Sequence, residues 1–393
     1  MTEAYTFGIE EEYFLIGRDN LAPVRRMPRQ FFAACRAALG ERVTVELLQS
    51  QIEVMTSVCH TPDEALTQLR AARAAIDEAG RRFGLAALAA GTNPLGEWRE
   101  QVQTAQQRYA ALGRDLGMLA QRNMLCGMHV HVQLPNADRR VDVMTRLIPY
   151  LPQLLALSTS SPFWDRQRSG LKGYRLAAYD ELPRTGLPPA FASQAHYDTY
   201  IAALVGAGVI PDSSFTWWAA RPSLKHPTLE LRIADCCTRV EDAVAIASLY
   251  RALTKRLVDR PTPPVAVDAA RYALIEENKW RAQRYGLDCE MVDPFTLEPV
   301  DTRTLIARLV EEIMPGAEEL GCAASVRSTL AILSRGTSAD QQLDVYQRAR
   351  RGMSRAEALR QVVRWLTAAT IGSPEHAIEP HDHVGTAGVS PAS

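Results

Sequence analysis

The chain lacks the marks of several large function classes. Its 393 residues carry 44 basic and 45 acidic side chains, a formal net charge of -1. No basic surplus therefore points to nucleic acid or to an anionic membrane surface. No stretch approaches the roughly 18 consecutive apolar residues of a membrane-spanning helix. Met1-Thr2-Glu3-Ala4-Tyr5 has no basic region ahead of an apolar run, so no secretory signal is expected. The seven cysteines include no CxxC pair, and Cys236 and Cys237 are adjacent. Such an odd, scattered set reads as reduced thiols of a cytoplasmic protein, most of them core filler. No GxxxxGK(S/T) sequence occurs, and Gly206-Ala207-Gly208 is too short a glycine signal for a dinucleotide turn. A nucleotide, if bound, is bound without a P-loop. No Ser, Cys or Lys constellation suggests a covalent enzyme intermediate.

What the chain does have is carboxylates in apolar, strand-like runs. Phe7-Gly8-Ile9-Glu10-Glu11-Glu12-Tyr13-Phe14-Leu15-Ile16 places three acids in such a run. Successive side chains of a strand face opposite ways, so Glu10 and Glu12 share a face while Glu11 joins Ile9 and Tyr13. Like charges side by side in an apolar setting repel, and a divalent cation compensates them. A solvated edge strand is the plainer reading. Gly127-Met128-His129-Val130-His131-Val132 alternates as well, with His129 and His131 on one face. Core histidines held by backbone groups are its plainer reading. In Leu229-Glu230-Leu231-Arg232-Ile233, Glu230 and Arg232 share the face opposite the apolar residues. That pattern suits either a surface ion pair or a phosphate site, where Glu holds a metal and Arg meets phosphate oxygens. Glu46 and Glu53 stand an odd number of residues apart. One straight strand would send them to opposite faces, so a bend at Leu48-Gln49-Ser50-Gln51 is required to aim both at one site.

Strands are expected near 5–16, 43–56, 84–92, 124–134 and 227–235. Helices are expected over 98–121 and 139–158 and through most of 268–370. Thr61-Pro62-Asp63-Glu64, Thr238-Arg239-Val240-Glu241 and Ser354-Arg355-Ala356-Glu357 read as capping boxes. The first should open a helix to about Phe83 and the second a helix to about Asp259, which Pro261-Thr262-Pro263-Pro264 stops. Residues 159–191, rich in Gly and Pro and basic, read as a long loop, either functional or disordered. Residues 1–371 are expected to form a single domain and 372–393 a disordered tail, in which His376, His381 and His383 are solvated. Strands come early, helices dominate later, and no regular βαβ alternation is seen. The fold class is α+β with an antiparallel sheet.

Together these motifs resemble the type 2 glutamate–cysteine ligase family, the carboxylate–amine ligases, within the glutamine synthetase-like superfamily. Glu10-x-Glu12, Glu46 with Glu53, Gly127-Met128-His129-x-His131 and Glu230-x-Arg232 occur in the family's order. Gly91-Thr92-Asn93-Pro94, Ser161-Pro162-Phe163-Trp164, Trp217-Trp218-x-x-Arg221-Pro222 and Glu277-Asn278-Lys279-Trp280-Arg281-Ala282-x-Arg284 look like it too. The resemblance runs from about Tyr5 to Thr370. It implies a curved antiparallel sheet forming an active-site funnel, with ATP entering at one end, the amino-acid substrates at the other, and Mg²⁺ or Mn²⁺ ions between. Glu10, His129 and Glu230 look like one metal group, and Glu12, Glu46 and Glu53 like another. Arg232 would face the transferred phosphate and act in catalysis, and His131 would lie near the nucleotide phosphates. Lys172, Arg175 and Arg221 are candidates for carboxylate or phosphate contacts. Arg281 and Arg284 read either way, as contacts or as helix-surface charges.

The implied activity is ATP-dependent joining of a carboxylate, that of glutamate, to an amine such as that of cysteine. A homodimer is compatible with it, and neither nucleic acid nor membrane is called for. The chemistry agrees. A carboxylate is a poor acyl donor, and phosphoryl transfer from ATP makes it an acyl phosphate. That transfer needs metal ions bridging phosphates and cations on developing charge. Five Glu and one His are ligands suited to Mg²⁺ or Mn²⁺. Two other readings stand beside this one. A metal-dependent amide hydrolase would use the HxH and carboxylates but leaves the extra Glu pairs and the Glu-x-Arg strand unexplained. A non-catalytic nucleotide or metal sensor would not need all six ligand candidates.

Overall fold

A computed structural model gives the architecture and describes residues 4–105, 113–260 and 267–372. Its centre is an antiparallel sheet built around β1, Phe7–Gly17. Around it stand β2 (Val43–Val45), β3 (Gln51–Met55), β4 (Leu85–Leu88), β5 (Met128–Gln133) and two strands from later in the chain. Between these in sequence lies a small hairpin of β6 (Phe163–Trp164) and β7 (Gln167–Arg168). The later sheet strands are β8 (Ala220–Pro222) and β9 (Thr228–Leu231). The spatial order is β2-β3-β1-β5-β9-β8, with β4 also on β1. β3 occupies one edge of β1; β5 and β4 divide the other, pairing its first and second halves. A second hairpin, β10 (Glu290–Val292) with β11 (Pro299–Asp301), follows among the C-terminal helices.

One sheet face is apolar. Phe7, Ile9, Met128, Val130, Val132, Leu229 and Leu231 are buried there among residues of the helices Arg140–Leu147, Leu151–Ser158 and Val240–Asp259. Tyr13 to Ile16 enter a second cluster with Ile52, Leu88 and the last helix, Arg355–Thr370. The helix Pro62–Phe83 serves both clusters: it gives Ala65 and Leu69 to the first and Ala72 and Ile76 to the second. That helix starts as its sequence requires. The Thr61 hydroxyl accepts the Glu64 N–H at 3.2 Å, Pro62 fills the first turn, and Gly84 closes the end at φ 66°. Ser354 and Glu357 also form the expected reciprocal box.

Several expectations are corrected. The stretch 98–121 is not one helix: a single turn at Trp98–Glu100 gives way to non-helical chain over 101–105, and among the described residues helix returns only at 113–116 and at Met118–Arg122. The Thr238 hydroxyl does not cap the helix Val240–Asp259. It donates instead to the Ala89 carbonyl at 2.8 Å, a tertiary bond that displaces the local one. Residues 159–191 are no loose loop. Thr159, Ser160, Ser161 and Phe163 are fully buried, and the β6–β7 hairpin and a helix, Tyr174–Tyr179, lie within the stretch. The serines there look polar in sequence, but their hydroxyls are taken up: Ser160 by the Cys236 carbonyl and Ser161 by the Asp235 carboxylate. The proline run at 261–264 and the tail after Gly372, with its histidines, lie outside the described residues.

Candidate active site

The sheet register gathers the carboxylates. Glu10 lies opposite His129 on β5, and Glu12 opposite Glu53 on β3. His131 pairs with Glu230 on β9, and Glu230 with Arg221 on β8. Because partners across an antiparallel ladder share a face, these seven residues form one polar patch. Glu46 arrives by the bend that its parity demanded. The chain leaves β2 at Val45 and re-enters the sheet as β3 at Gln51, with Leu48, Gln49 and Ser50 between. The Glu46 carboxylate is anchored by the Leu47 N–H at 3.2 Å.

Two sets of oxygen and nitrogen atoms within the patch lie within 4.8 Å of one another: Glu10, His129 and Glu230, and Glu12, Glu53 and His129. His129 belongs to both. Its Nδ1 stands 3.3 Å from Glu10 and its Nε2 3.9 Å from Glu12. At that range Nε2 has no hydrogen bond, and it is buried. His131 reaches Glu10 through Nε2 at 3.4 Å and Thr228 through Nδ1 at 2.9 Å. Glu12 is fixed from the other side by the Gly127 N–H at 2.5 Å.

The electrostatics divide the patch. Burial would push Glu10 up, but hydrogen bonds from His129 and His131 outweigh it and hold the carboxyl well below its usual range. Glu230 is also held low, since Arg232 and Arg221 outweigh its burial. Glu46 and Glu53 go the other way. Burial and then Glu12 push Glu46 up to about 8. Burial and then Glu46 push Glu53 well above the carboxylate range. Burial and the nearby Arg232 push His129 down, favouring the neutral imidazole. Crowded carboxylates with raised values, a neutral imidazole and an unpartnered ring nitrogen are the donor set a hard divalent cation fits.

The cations are placed unequally. Arg232 donates to Glu230 and, at 3.2 Å, to the Tyr179 hydroxyl; its Nε is buried without a partner. Arg175 is 2% exposed and lines a cavity of about 120 Å³ with Arg232, Glu12, Glu46, Tyr179 and Trp217. Arg221 is turned inward. It grips Glu230 at 2.7 and 3.3 Å and the Ser214 and Thr216 carbonyls at 2.7 and 3.0 Å. These bonds clamp Glu230 against the Ser214–Thr216 turn. Lys172 is engaged elsewhere, 2.5 Å from both Asp288 and Asp340. Arg281 and Arg284 bond the Glu290 and Gly170 carbonyls and tie their helix to the start of β10 and to the chain after β7. Of the tryptophan pair, Trp217 lines the cavity while Trp218 packs with Val141 and Tyr197. Sequence reasoning assigned no role to Tyr179 or Asp235; neither sits at the period-two spacing that singled out the others.

Comparison with known proteins agrees with this geometry. The family described as glutamate–cysteine ligase family 2 (GCS2) matches residues 6–364. The chain belongs to that family. A protein of Bradyrhizobium sp. strain ORS 278, provisionally named glutamate–cysteine ligase 2, is 48% identical over 371 residues, 94% of this chain and 89% of its own. A relative of the same provisional name from Rhodospirillum rubrum is 46% identical, covering 94% of this chain and 96% of its own. The fold matches a glutamate–cysteine ligase of Francisella tularensis, solved in complex with AMP, at TM-score 0.68 and 12% identity, over 94% of this chain and 89% of that one. It matches a bifunctional glutathione synthetase of Pasteurella multocida at TM-score 0.67 and 15% identity, over 93% of this chain and 52% of that one. At these identities the structures speak for the fold: the glutamine synthetase-like architecture of an antiparallel sheet among helices. The described helices include none long and apolar enough to cross a membrane.

Proposed function

We propose that the protein is an ATP-dependent carboxylate–amine ligase that joins the γ-carboxylate of glutamate to an amine, cysteine being the acceptor that its relatives' names indicate. The observation that carries the reading is the doubled ligand set meeting at His129, with Arg232 bonded to one of its members. Glu10, His129 and Glu230 would hold one Mg²⁺ or Mn²⁺, and Glu12, Glu53 and His129, with Glu46 beside them, a second. Bound there, the cations neutralise charge on the nucleotide phosphates. The chain's own groups do the rest. Arg232 faces the charge that develops as the γ-phosphoryl group passes to the carboxylate, and Tyr179 and Glu230 hold its guanidinium in place. Arg221 keeps Glu230 in register. His131, bonded between Thr228 and Glu10, supports the nucleotide side. The acid oxygen attacks phosphorus, ADP leaves, and the amine then attacks the acyl carbon. Phosphate departs with one oxygen of the acid, and the amine releases its proton.

The test is oxygen transfer. Glutamate labelled with ¹⁸O in its γ-carboxylate should pass one labelled oxygen to the released phosphate, and hydroxylamine should trap a hydroxamate only when ATP and metal are present. Product formed with unlabelled phosphate would overturn the acyl phosphate, and AMP with pyrophosphate would indicate adenylation. Rapid amide hydrolysis without ATP would make the protein a hydrolase.

A further inference from the structure

The motif Glu277-Asn278-Lys279-Trp280-Arg281-Ala282-x-Arg284 lies in the helix Ala269–Tyr285, where Asn278, Lys279 and Gln283 are buried. Buried polar groups need partners, and these find theirs in segments that build the site. The Asn278 side chain exchanges two hydrogen bonds with the Val292 backbone, at 2.7 and 2.9 Å, and fixes the helix to β10. The Gln283 carbonyl accepts the Lys172 and Gly173 N–H groups at 2.8 and 2.9 Å, just ahead of the helix Tyr174–Tyr179. The Lys279 ammonium stands 2.9 Å from the carboxylate of Asp180, the residue that follows that helix, and 3.0 Å from Glu276. One helix therefore grips another at both ends.

The gripped helix ends on Tyr179, whose hydroxyl accepts from Arg232 at 3.2 Å. Tyr179, Leu182 and Trp217 line one side of the cavity that Arg232 and Glu12 also line. Beyond Asp180 the chain folds back over the ammonium. Gly186, at φ 79°, comes so near that a Cβ there would lie 3.6 Å from Lys279 Nζ. The Arg184 and Gly186 carbonyls then accept the Trp217 and Ala219 N–H groups, each at 2.8 Å, and join this wall to the chain that enters β8. Lys279 lies behind the wall rather than in it, and is only 8% exposed. An ion pair so placed escapes the solvent screening that makes surface pairs weak.

We propose that Lys279 is a positioning residue for phosphoryl transfer: through its ion pair with Asp180 it holds Tyr179 in place, and through Tyr179 the guanidinium of Arg232. The role in transfer rests on the ligase reading. Lys279 touches no substrate and acts only through the helix end it fixes. The charge that Arg232 meets develops on the way to the transition state, so a displaced guanidinium costs rate and not ground-state binding.

The experiment separates kcat from KM. Lys279→Met keeps an apolar stem and removes the charge. It should lower kcat by roughly 10- to 100-fold and leave the KM for ATP and for glutamate within about twofold of the wild type. Asp180→Leu breaks the same pair, leaves Lys279 with Glu276 and buries no unpaired carboxylate. It should show the same split, and it carries the test if Lys279→Met does not fold. Asp180→Leu combined with Tyr179→Phe should be no slower than the slower single variant, because both act on one contact. A normal kcat in Asp180→Leu, a loss confined to KM, or additive losses in the double variant would overturn the proposal. A second readout needs no turnover. In protein labelled with fluorotyrosine, the ¹⁹F resonance of Tyr179 is assigned by its loss in Tyr179→Phe. Arg232→Lys should shift that resonance in the otherwise wild-type protein and leave it in place in the Asp180→Leu background. An equal shift in both backgrounds overturns the positioning role even if no amide is formed. The expected difference without amide formation would keep Lys279 as the support of the Tyr179–Arg232 contact and overturn the ligase reading alone.

Discussion

At the scale of single residues, each side chain of the site is set by what its neighbour demands. Glu12→Gln, Glu53→Gln and His129→Ala each remove an atom from the set centred on His129. Each is expected to lower turnover by at least 100-fold, because a misplaced cation misplaces the phosphate it holds. Titration with Mn²⁺, followed by electron paramagnetic resonance, should show one tight site fewer; full occupancy in Glu12→Gln would remove that residue from the set. Arg232→Lys keeps the charge and loses the fork that joins Glu230 and Tyr179. The loss should fall on kcat, and a rise confined to the KM for ATP would make Arg232 a ground-state binder. The raised value of Glu46 predicts a pH dependence. Its ordinary value is 4.5, and in the fold it is about 8. Between these the folded protein holds a proton that the unfolded chain has released, so without metal this group lowers stability as pH climbs through that window. Cation binding requires the deprotonated carboxylate, so apparent Mg²⁺ or Mn²⁺ affinity should strengthen with pH up to about 8. Calorimetric titrations across that range check it, and a flat affinity would place Glu46 outside the ligand set.

At the scale of elements, β1 works on both faces. Glu10 and Glu12 face the site. Glu11 between them is fully buried against Arg73 of the helix Pro62–Phe83, at 2.6 and 3.1 Å, and bonds the Tyr13 hydroxyl. Arg73 also donates to the Cys237, Thr238 and Thr370 carbonyls at 2.8, 2.7 and 3.1 Å. One guanidinium therefore joins β1, the turn after β9 and the end of the last helix. Arg73→Met leaves Glu11 buried and unpaired, and should cost about 3–5 kcal/mol of stability, with a correspondingly large fall in Tm. The double change Arg73→Met with Glu11→Leu should recover part of that loss, because the uncompensated charge is gone. Period-two alternation put Glu11 opposite Glu10 and Glu12 from sequence alone. Nothing in the chain near Glu11 announced Arg73, because a partner 62 residues away leaves no local pattern.

At the scale of the whole molecule, the last helix closes the fold over β1 and β4. Leu359, Val362, Val363 and Leu366 are buried in one cluster with Phe14, Ile16 and Leu88. Each such side chain contributes roughly 1.5–3 kcal/mol, and the Thr370 hydroxyl accepts the Ala89 N–H at 3.0 Å. Ending the chain at Met353 should therefore abolish cooperative folding, as read by loss of a thermal transition. Ending it at Gly372 should shift Tm by no more than about 2 °C and leave activity in place, since no described contact is removed. A marked loss from the shorter deletion would show that residues after Gly372 contribute to the fold or the site.

The strands, their alternation and the helix starts at Thr61 and Ser354 were determined by local sequence, because period-two burial and capping act over a few residues. The same locality made Glu10 with Glu12, His129 with His131 and Glu230 with Arg232 legible as pairs sharing a face, and the family resemblance joined those pairs into one chemistry. What the tertiary structure decided was pairing across distance. It put Glu12 opposite Glu53 and His131 opposite Glu230, bent the chain so that Glu46 joined them, and spent Arg221 on Glu230 and Lys172 on Asp288 and Asp340. It turned a glycine- and proline-rich stretch into a buried support for Asp235 and left Arg175 lining the cavity. A charged side chain reads the same in sequence whether it meets protein or ligand. Only the positions of all its neighbours say which, and those are fixed by register and packing between segments far apart in the chain.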